Sequence, residues 1–555
     1  MATWRKIAVA FGVAKREIDC EGGIVGFMRR TVLATIAMAV VHAQGVWERR
    51  ANYPISATEV SAAEIEGKIY AACGLTAEGP TNGLFVYDPL RDTWTAGARA
   101  PVAGDHCNVA AANGKLYLLG AIRIGSAFVD GNTYEYDPRR DRWSSVARMP
   151  TPRGASGVAS DGRRIYVAGG TVANAFEVFD SQTSEWTRLP NMPTGRDHLT
   201  AQFTGGKFYA LAGRNSRDVA TVEEFDPASN TWRARRSAPT ARGGVASAVV
   251  DGKIYVMGGE GASGTPQNTF RQNEEYDPVA DSWRALPDMP TPRHGLYAVA
   301  VGRAIFTPSG GPIAGATYSN VNEAYIVAPA SPPSFDSGPV NAASYSSELG
   351  EGVLVTWFGR SFAPAAQVSA GTSTQLLGTR VTLNGAALPL LAVAPGQVSF
   401  RLPAAGELRL ISAGVESAAF RVASVAAASP GIFSLSQDGK GQGAILVAGT
   451  GLLARLTRDA FSLPARLNGV VEIYCTGLGA TDRGADGLER TRVSLTAEID
   501  GRNAEVLYSG LAPGLFGVYQ VNARVPAETR VGNSVEVRLR AAGAVSNVVT
   551  MGVTD

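Results

Sequence analysis

Two fixed spacings recur along the N-terminal three fifths of this chain, and they restrict its fold more than any other feature. Six times a Trp is followed 23 positions later by an aromatic residue that ends a short apolar run, although the distance between successive Trp residues varies from 43 to 51. Constant internal spacings within a variable period indicate one supersecondary unit repeated six times, with the length variation confined to one loop. The six pairs are Trp47 with Tyr70, Trp94 with Tyr117, Trp143 with Tyr166, Trp186 with Tyr209, Trp232 with Tyr255, and Trp283 with Phe306.

Each repeat has the pattern of four short β-strands. In the fifth repeat, residues 243–250 form a small-residue strand, 253–259 a second strand, 274–278 a third and 282–290 a fourth. Small residues suit the crowded centre of a β-propeller, and the Tyr and Trp supply large apolar faces between blades. The whole chain of 555 residues, with 64 Gly, 30 Pro and 18% charged residues, has the composition of an all-β protein. We therefore predict a six-bladed propeller over residues 44–328.

The repeats resemble the kelch repeat. The fifth copy matches that pattern in full, with Gly252 to Tyr255, Gly258-Gly259, Tyr276 to Pro278, Trp283, and Met289 to Arg293. The last repeat has no Trp after Tyr325, and Trp47 at the start of the series supplies it. The resemblance implies a propeller in which the first strand completes the sixth blade, so that no open sheet edge remains between the first and last blades.

A second duplication follows a linker predicted at residues 329–335. Residues 381–403 parallel residues 497–526, with matching turn glycines at Gly385 and Gly501. Alternating apolar and polar residues joined by Asn-Gly and Asp-Gly turns indicate two related β-sandwich modules of immunoglobulin-like size. We predict these modules at residues 336–428 and 429–555.

The segment from Asn341 to the C-terminus resembles the uncharacterised Solibacter-type C-terminal domain of exported acidobacterial proteins. The matching stretches are NAASY at Asn341, APGQVSFRLP at Ala394, SPGIF at Ser429, TGLG at Thr476 and GLAPGLFGVYQVN at Gly510. This resemblance implies a bacterial, exported protein, and it implies no particular reaction.

The N-terminus has the pattern of an export signal. Arg29 and Arg30 precede the apolar run at 31–41, and Val41-His42-Ala43 supplies the small residues of a cleavage site. We predict a signal peptide within residues 1–43, translated from Met28, and a secreted, cell-surface or periplasmic mature chain without a transmembrane segment. Residues 44–555 carry 45 basic and 46 acidic side chains, which gives no basic surplus for nucleic acid.

Cysteine usage leaves one pairing open. Three cysteines follow the predicted signal, and an odd number gives no complete disulfide framework. A bridge between Cys73 and Cys107 is geometrically conceivable in the propeller. The sequence favours the alternative, in which Cys73, Cys107 and Cys475 are free and buried as small apolar side chains.

Known catalytic and cofactor motifs are absent from the sequence. It contains no HExxH, paired CxxC, Walker loop, G-x-S-x-G or dinucleotide fingerprint. A galactose-oxidase type of copper site would need a histidine in the C-terminal domain, and no histidine follows His294. We predict no cofactor, no metal and no catalytic residue. His106 and His198 share one place, at the same interval before the Tyr of their repeats, and a metal or catalytic role would require them to converge across the central channel.

Four arginines also share one place in the repeat, at a fixed interval before the aromatic residue: Arg153, Arg196, Arg242 and Arg293. One interpretation makes them structural tethers that donate to loop carbonyl groups. The other makes them a partial ring of guanidinium groups for an anionic ligand, which a planar fork suits. The candidate ligand-binding residues are these arginines with His106 and His198. Glu223, Glu224, Glu274 and Glu275 are predicted to be solvated edge residues.

The sequence thus predicts a monomeric, exported binding protein that uses one propeller face to hold an extracellular protein or a glycan. An enzyme of the sialic acid mutarotase type, also similar to a six-bladed kelch propeller, is the alternative. A structural spacer or adhesin is the third hypothesis, and a channel plugged by apolar side chains would favour it.

Overall fold

The computed structural model describes residues 45–123, 128–262, 264–457 and 459–555, and every regular element in these ranges is a β-strand. The chain divides into two compact units, one that extends to Ala330 and one formed by Ser331–Asp555. None of the described residues forms a helix that is long and apolar enough to cross a membrane. The predicted signal segment, residues 1–43, lies outside the described residues.

The first unit is the predicted six-bladed propeller. Each blade is an antiparallel sheet of four strands, and small side chains such as Ala62, Ala110 and Ala248 lie on the innermost strands. From the inside outwards, the strands are Ser61–Ile65, Lys68–Ala72, Leu84–Asp88 and Thr93–Gly97 in blade one; Val109–Ala112, Lys115–Arg123, Phe128–Asp137 and Arg142–Arg148 in blade two; Gly157–Ser160, Arg164–Ala168, Phe176–Asp180 and Glu185–Arg188 in blade three; Thr200–Thr204, Lys207–Leu211, Val222–Asp226 and Thr231–Arg235 in blade four; Ala246–Val250, Lys253–Met257, Asn273–Asp277 and Ser282–Leu286 in blade five; and Val299–Val301, Ala304–Pro308, Asn322–Ile326 and Val46–Arg49 in blade six.

The first described strand closes the ring, as the spacing at Trp47 predicted. Val46–Arg49 pairs with Asn322–Ile326, and Trp47 lies opposite Tyr325 with the ring centroids 5.2 Å apart. The indole Nε1 of Trp47 donates to the carbonyl oxygen of Pro287 at 2.9 Å, in the segment that follows blade five. The sixth blade is therefore built from both ends of the propeller segment.

The recurrent aromatic residues join neighbouring blades. Trp143 in blade two packs against Tyr136 at 5.2 Å and donates to the carbonyl oxygen of Ala98, which follows the outer strand of blade one. The carboxylate of Asp141 accepts from the Tyr136 hydroxyl at 2.6 Å and from the backbone N–H of Ala98 at 2.7 Å. The same arrangement recurs at Tyr276, Asp281 and Trp283. The fixed interval between this Tyr and the Trp thus reflects the contacts by which each blade is joined to the one before it.

The second unit consists of two halves, each with two packed sheets, which are antiparallel except for one parallel strand pair in each sheet of the second half. In the first half, one sheet contains Ser334–Phe335, Val340–Asn341, Val353–Arg360, Gln367–Ser373, Leu390–Ala394 and Gln397–Leu402, and the other contains Thr379–Leu383, Ala386–Ala387, Gly406–Ser412, Val415–Glu416 and Phe420–Val422. In the second half, one sheet contains Gly431–Ile432, Ile445–Val447, Leu452–Ala454, Ser462–Leu463, Val470–Thr476, Thr481–Arg483, Glu489–Thr491, Val506–Leu511 and Tyr519–Arg524, and the other contains Ala465–Arg466, Leu495–Ile499, Arg502–Ala504, Gly532–Ala541, Ala544–Val545 and Val549–Thr554.

Each half has its own core, and a third cluster joins the two halves. Trp357 is fully buried in the first half and stacks on Phe335 at 3.7 Å, so residues 334 and 335 belong to this unit and not to a linker. Leu354, Phe433 and Tyr474 belong to the cluster between the halves. The two sandwiches therefore form one compact unit, and their immunoglobulin-like classification stays a prediction.

Candidate functional site

One position of the repeat surrounds the centre of the propeller at the start of the inner strands. It lies at a constant interval before the second-strand aromatic residue, and we call its six occupants the mouth ring: Glu59, His106, Ala155, His198, Gly244 and Gly295. All six have positive φ angles, between 49° and 59°. Glycine adopts this left-handed conformation without strain, whereas Glu, His and Ala do so at a cost of about 1–2 kcal/mol each.

Backbone hydrogen bonds tie the mouth ring together across the blades. The N–H of His198 donates to the carbonyl oxygen of Ala155 at 3.0 Å, Gly244 donates to His198 at 2.9 Å, and Gly295 donates to Gly244 at 3.0 Å. Ala155 donates in the same way to His106, also at 3.0 Å. The left-handed backbone is therefore held by bonds between neighbouring blades from blade two to blade six.

Three side chains of the mouth ring converge. His106 Nε2 lies 3.1 Å from His198 Nε2 and 3.4 Å from Glu59 Oε2. The ligand atoms of Glu59, His106 and His198 all lie within 4.8 Å of one another, and their side chains are 14–19% exposed. The structure thus meets the condition set by the sequence for a metal or catalytic role, namely that the two histidines converge.

Each of these histidines is held by the aspartate that precedes it. His106 Nδ1 contacts the carboxylate of Asp105, and His198 Nδ1 lies 2.6 Å from Asp197 Oδ1. Asp105 is fully buried, whereas the Asp197 side chain is 43% exposed and lies 3.8 Å from Arg214 Nε. The two Asp-His pairs fix the orientation of the imidazole rings and leave both Nε2 atoms directed at the centre.

A third histidine lies behind Glu59. His294 is 2% exposed, and its Nε2 lies 3.0 Å from the carbonyl oxygen of Ile313. Its Nδ1 faces two carboxylates, Glu260 Oε2 at 3.4 Å and Glu59 Oε1 at 3.8 Å. The three histidines that follow the predicted signal segment therefore all surround the Glu59 carboxylate.

The charges of this group shift two pKa values in opposite directions. Burial alone would raise the pKa of Glu59, but the electrostatic effect of His106, the two other nearby histidines and Arg214 outweighs it and lowers that pKa. Burial alone would lower the pKa of His106, but Glu59 and Asp105 outweigh it and raise that pKa. The geometry therefore favours a negative charge on Glu59 and a positive charge beside it.

A small cavity lies directly beneath this group. Its volume is about 70 Å³, and its lining includes Val60, Val158, Leu199, Val245 and Leu296 below the level of Glu59 and the histidines. Sites for small organic molecules are larger, at about 300–1,000 Å³. Apolar and polar side chains line this cavity together, so it is not a purely apolar plug of the kind that would favour the spacer hypothesis.

The four candidate arginines are buried, and each lies against a glutamate of its own blade. Their side chains are fully buried, and the nitrogen-to-oxygen distances are 2.6 Å for Arg153 with Glu177, 2.6 Å for Arg196 with Glu223, 2.8 Å for Arg242 with Glu274 and 2.9 Å for Arg293 with Glu323. Backbone carbonyl groups accept the other hydrogen bonds, as at Arg196, which donates to Ala210 and Ala212. Of the two interpretations that the sequence left open for these arginines, the contacts fit the structural tether.

The sequence predicted that the glutamates on the third strands would be solvated edge residues, and this prediction was wrong. Glu223, Glu224, Glu274 and Glu275 are between 1% and 4% exposed. Glu223 and Glu274 receive the tethering arginines, and Glu275 receives Lys253 at 3.2 Å and Arg284 at 2.7 Å. Burial of these carboxylates is tolerated because each has a charged partner outside its own strand.

The preference for three free cysteines was also wrong. Cys73 and Cys107 form a disulfide that joins the end of the second strand in blade one to the start of the inner strand in blade two. Cys475 is free and buried in the core of the second sandwich. Blades one and two carry Ala57 and Gly104 in place of a tethering arginine, so the disulfide joins the two blades that lack one.

Two wider clefts lie among the loops that connect second and third strands. One has a volume of about 720 Å³ and is lined by Asp197, His198 and the hairpin of Arg214–Asn215 and Arg217–Asp218. The other, of about 520 Å³, is lined by residues 76–82, which include part of a short hairpin, and by Arg99 and Tyr318. Asn215, Ser216 and Arg217 are exposed at the tip of the first hairpin.

The β-propeller of this chain is similar to propellers built from kelch repeats. Residues 108–311 match the family model of the KLHDC2/KLHL20/DRC7 Kelch-repeats domain. This confirms the kelch resemblance of the repeats, whereas the Solibacter-type resemblance of the C-terminal segment stays a prediction.

Known proteins with similar sequences are also kelch proteins. The chain is 32% identical over 334 residues to Kelch-like protein terF of Aspergillus terreus, an alignment that covers 58% of this chain and 63% of the relative. It is 32% identical over 77 residues to Kelch-like protein 24 of Rattus norvegicus, which covers 14% of this chain and 12% of that relative. The chain thus spans less than two thirds of the length of either relative. A solved structure described as "Structure of YjhT" aligns with a TM-score of 0.43 at 16% identity, over 49% of this chain and 95% of that one.

The sequence analysis missed Glu59. The signal was present, because Glu59 stands at the same interval before Tyr70 as His106 and His198 stand before their own tyrosines. Because Glu59 differs in residue type from the two histidines, their shared position is recognised only when the repeats are aligned by spacing. Among the predicted residues, the structure brings His106 and His198 together at the centre and places the four arginines within the blades.

Proposed function

We propose that this protein is a non-catalytic binding protein that holds a segment of another protein on the face of the propeller formed by the second-to-third strand loops. The observation that carries the proposal is that both wide clefts, of about 720 and 520 Å³, are lined by these loops, and that the larger one includes His198 of the mouth ring. Loops of variable length on a constant scaffold are where binding residues concentrate. Kelch repeats in general form protein-interaction propellers, which supports a protein as the partner.

The charged lining of the larger cleft supports an extended protein segment. The central cavity is far below the usual size of a small-molecule site, whereas the clefts are wider, and the larger one is lined by Arg214, Arg217 and Asp218. Arg217 and Asp218 offer both signs of charge beside exposed backbone at the hairpin tip. A segment with polar and charged side chains can form hydrogen bonds there and remain partly in water.

The proposal includes export of the protein. Disulfides persist in oxidising compartments, and the bond between Cys73 and Cys107 supports such a location. Mass spectrometry of the extracellular or periplasmic protein should then find Gln44 as the first residue. Recovery of the chain only in the cytoplasm, with residues 1–43 attached, would contradict this part.

The binding proposal can be tested with the whole chain on a displayed peptide library and on a glycan array. We expect selected peptides to bind and Arg217→Glu to weaken them at least about tenfold, since a lost charge-assisted hydrogen bond is worth about 1.5–3 kcal/mol. Arg139→Glu is the matched control, because this side chain is 86% exposed and pairs with Glu66 at the strand turns on the other side of the blades. Binding to glycans alone would replace the protein partner with a carbohydrate. Binding that both variants lose equally, or no binding to either library, would contradict the use of this face.

One observation favours the mutarotase type of enzyme as a second candidate. The two Asp-His pairs beside Glu59 are acid and base groups within reach of one another. The small volume of the cavity opposes it. Sugar anomer exchange followed by NMR on the whole chain separates the candidates, since catalysis that is lost in Glu59→Gln would establish the enzyme.

A further inference from the structure

Glu59, His106 and His198 bring together acceptor atoms that cannot form hydrogen bonds with one another. In a neutral imidazole one nitrogen carries the hydrogen and the other accepts. The carboxylates of Asp105 and Asp197 face the Nδ1 atoms of His106 and His198, so each Nδ1 donates and each Nε2 is left as an acceptor. These two acceptors lie 3.1 Å apart, and the Glu59 carboxylate lies 3.4 Å from one of them. The two Nε2 atoms and a Glu59 carboxylate oxygen therefore direct lone pairs at one another, and a cation between them would satisfy all three.

The negative charge of the carboxylates around these three side chains also requires a cation. Asp105 is fully buried, and its Oδ2 has no hydrogen-bond partner among the described residues. Glu59 adds a second carboxylate, 3.4 Å from His106. A buried carboxylate without a compensating charge is strongly destabilising. A single proton shared by the two histidines would offset one negative charge, whereas a divalent ion would offset both.

His294 provides an independent observation. Its side chain is almost completely buried, with a relative exposure of 2%. Its Nε2 donates to the carbonyl oxygen of Ile313, and within the described ranges Nδ1 has no hydrogen-bond partner. This atom faces Glu59 Oε1 at 3.8 Å and Glu260 Oε2 at 3.4 Å. Another buried polar atom without a hydrogen bond thus lies beside the Glu59 carboxylate.

We propose that Glu59, His106 and His198 bind one divalent transition-metal ion at the mouth of the propeller. In the described part of the chain, they are the one group of three His, Cys, Asp or Glu residues with ligand atoms close enough to share an ion. A tetrahedral ion with ligands at about 2.0–2.1 Å separates them by roughly 3.3 Å, close to the 3.1 and 3.4 Å seen here. Two imidazoles and one carboxylate suit Zn²⁺ and its first-row neighbours better than Ca²⁺ or Mg²⁺.

Glu59, His106 and His198 also line the small cavity. Three protein ligands leave a tetrahedral ion one position for water or for an atom of a partner. Asp105 and Asp197 are positioning residues in this arrangement, since a carboxylate that holds the second imidazole nitrogen fixes the ring and makes Nε2 a better ligand. The ion site goes beyond the proposed function, because ion binding requires no partner and is measured without one.

The test is equilibrium dialysis of the chelator-treated whole chain against Zn²⁺, with the metal content measured, and against Co²⁺, with the visible absorption recorded. We expect one ion per chain, a Co²⁺ spectrum of tetrahedral type, and a melting temperature that rises with the concentration of Zn²⁺. His106→Ala, His198→Ala and Glu59→Gln should each lose the ion at the concentration that saturates the unmodified chain. Asp105→Asn should weaken binding about 10–100-fold.

Three controls keep the test decisive. Ala155 occupies the mouth ring in blade three with φ of 57°, so alanine fits this backbone, and the fold of each variant is checked by its melting temperature in chelator. Glu59→Gln keeps the shape of the side chain in case a histidine variant does not fold. Glu185→Gln removes an exposed carboxylate of the outer strand of blade three and should keep one ion. Absence of uptake of both ions, or uptake that is the same in all three ligand variants, would overturn the proposal and assign the group to a shared proton.

Discussion

The arginine position and the mouth ring are separated by a single residue in the repeat. The polar groups at the first position bind within their own blade, whereas those at the second contact other blades. Arg196 is fully buried and donates to Glu223 and to two carbonyl groups of its own blade. His198, in the same blade, directs Nε2 at residues of two other blades. Each of these four blades has to hold its own strands and loops in place, so the arrangement that does so is copied. A site at the centre is assembled once, so its residues differ from copy to copy.

This comparison explains which shared residues indicate function. The arginine position is filled by the same residue in four consecutive repeats, and it serves the fold. The mouth ring is filled by Glu, His, Ala, His, Gly and Gly, and it gathers the chemistry. In a cyclic repeat protein, regularity at a position therefore favours a structural role, and irregularity at a position that faces the axis favours a ligand.

The largest expected effect is that of Arg196→Ala. Removal of the guanidinium leaves the Glu223 carboxylate buried without its partner, which costs about 3–5 kcal/mol in the free energy of unfolding. Denaturant unfolding followed by tryptophan fluorescence measures it. Arg139→Ala is the exposed comparison, with an expected change of about 0–1 kcal/mol. Similar values for the two variants would show that the buried arginines do not hold their blades.

A smaller loss is expected when the disulfide is removed from the two blades without arginine. Cys73→Ser with Cys107→Ser opens a link between residues 34 positions apart and should lower the free energy of unfolding by about 2–4 kcal/mol. Thermal unfolding with and without a reducing agent measures the effect. The reducing agent should lower the melting temperature of the unmodified chain and leave that of the double variant unchanged. A double variant as stable as the oxidised chain would show that these blades need no substitute for the arginine.

The smallest expected effect on stability belongs to His198→Gly. Glycine relieves a left-handed backbone worth about 1–2 kcal/mol, and the lost hydrogen bond to Asp197 costs about 0.5–1.5 kcal/mol. The free energy of unfolding in chelator should therefore change by less than about 1 kcal/mol, although the variant no longer retains Zn²⁺. Arg196→Ala, in the same loop, should show the reverse pattern, with a large loss of stability and one ion still bound by the folded fraction. A loss of stability in His198→Gly as large as that in Arg196→Ala would remove the distinction between the two positions.

The sequence was sufficient for the parts of the fold that depend on spacing. The interval from Trp47 to Tyr70 predicted that the first strand completes blade six, because the large aromatic residues have to meet at each blade joint. It was insufficient where a contact joins residues with no fixed interval. Glu223 lies 27 positions from Arg196 on another strand, and a glutamate beside a strand end gives no local sign of a buried partner.

The site was predicted in part for a similar reason. His106 and His198 share a repeat position, but they lie 92 positions apart, and the sequence gives no distance across a channel. Their convergence follows from the ring of blades, which brings every mouth position to one axis. The disulfide was missed because an odd number of cysteines permits both the paired and the free state, and only the contact between blades one and two decides.

The pairing of Val46–Arg49 with Asn322–Ile326 has a consequence for biosynthesis. The strand that completes the ring is among the first parts of the propeller to be made, and its partner is the last. At about 5–20 residues per second, the early strand waits on the order of tens of seconds before its neighbour has been translated. During that interval the nascent chain carries an unpaired edge that can join a strand of another molecule. The same closure that protects the finished protein therefore makes its synthesis the period of greatest exposure to aggregation, and a holding chaperone would act on this stretch of the nascent chain.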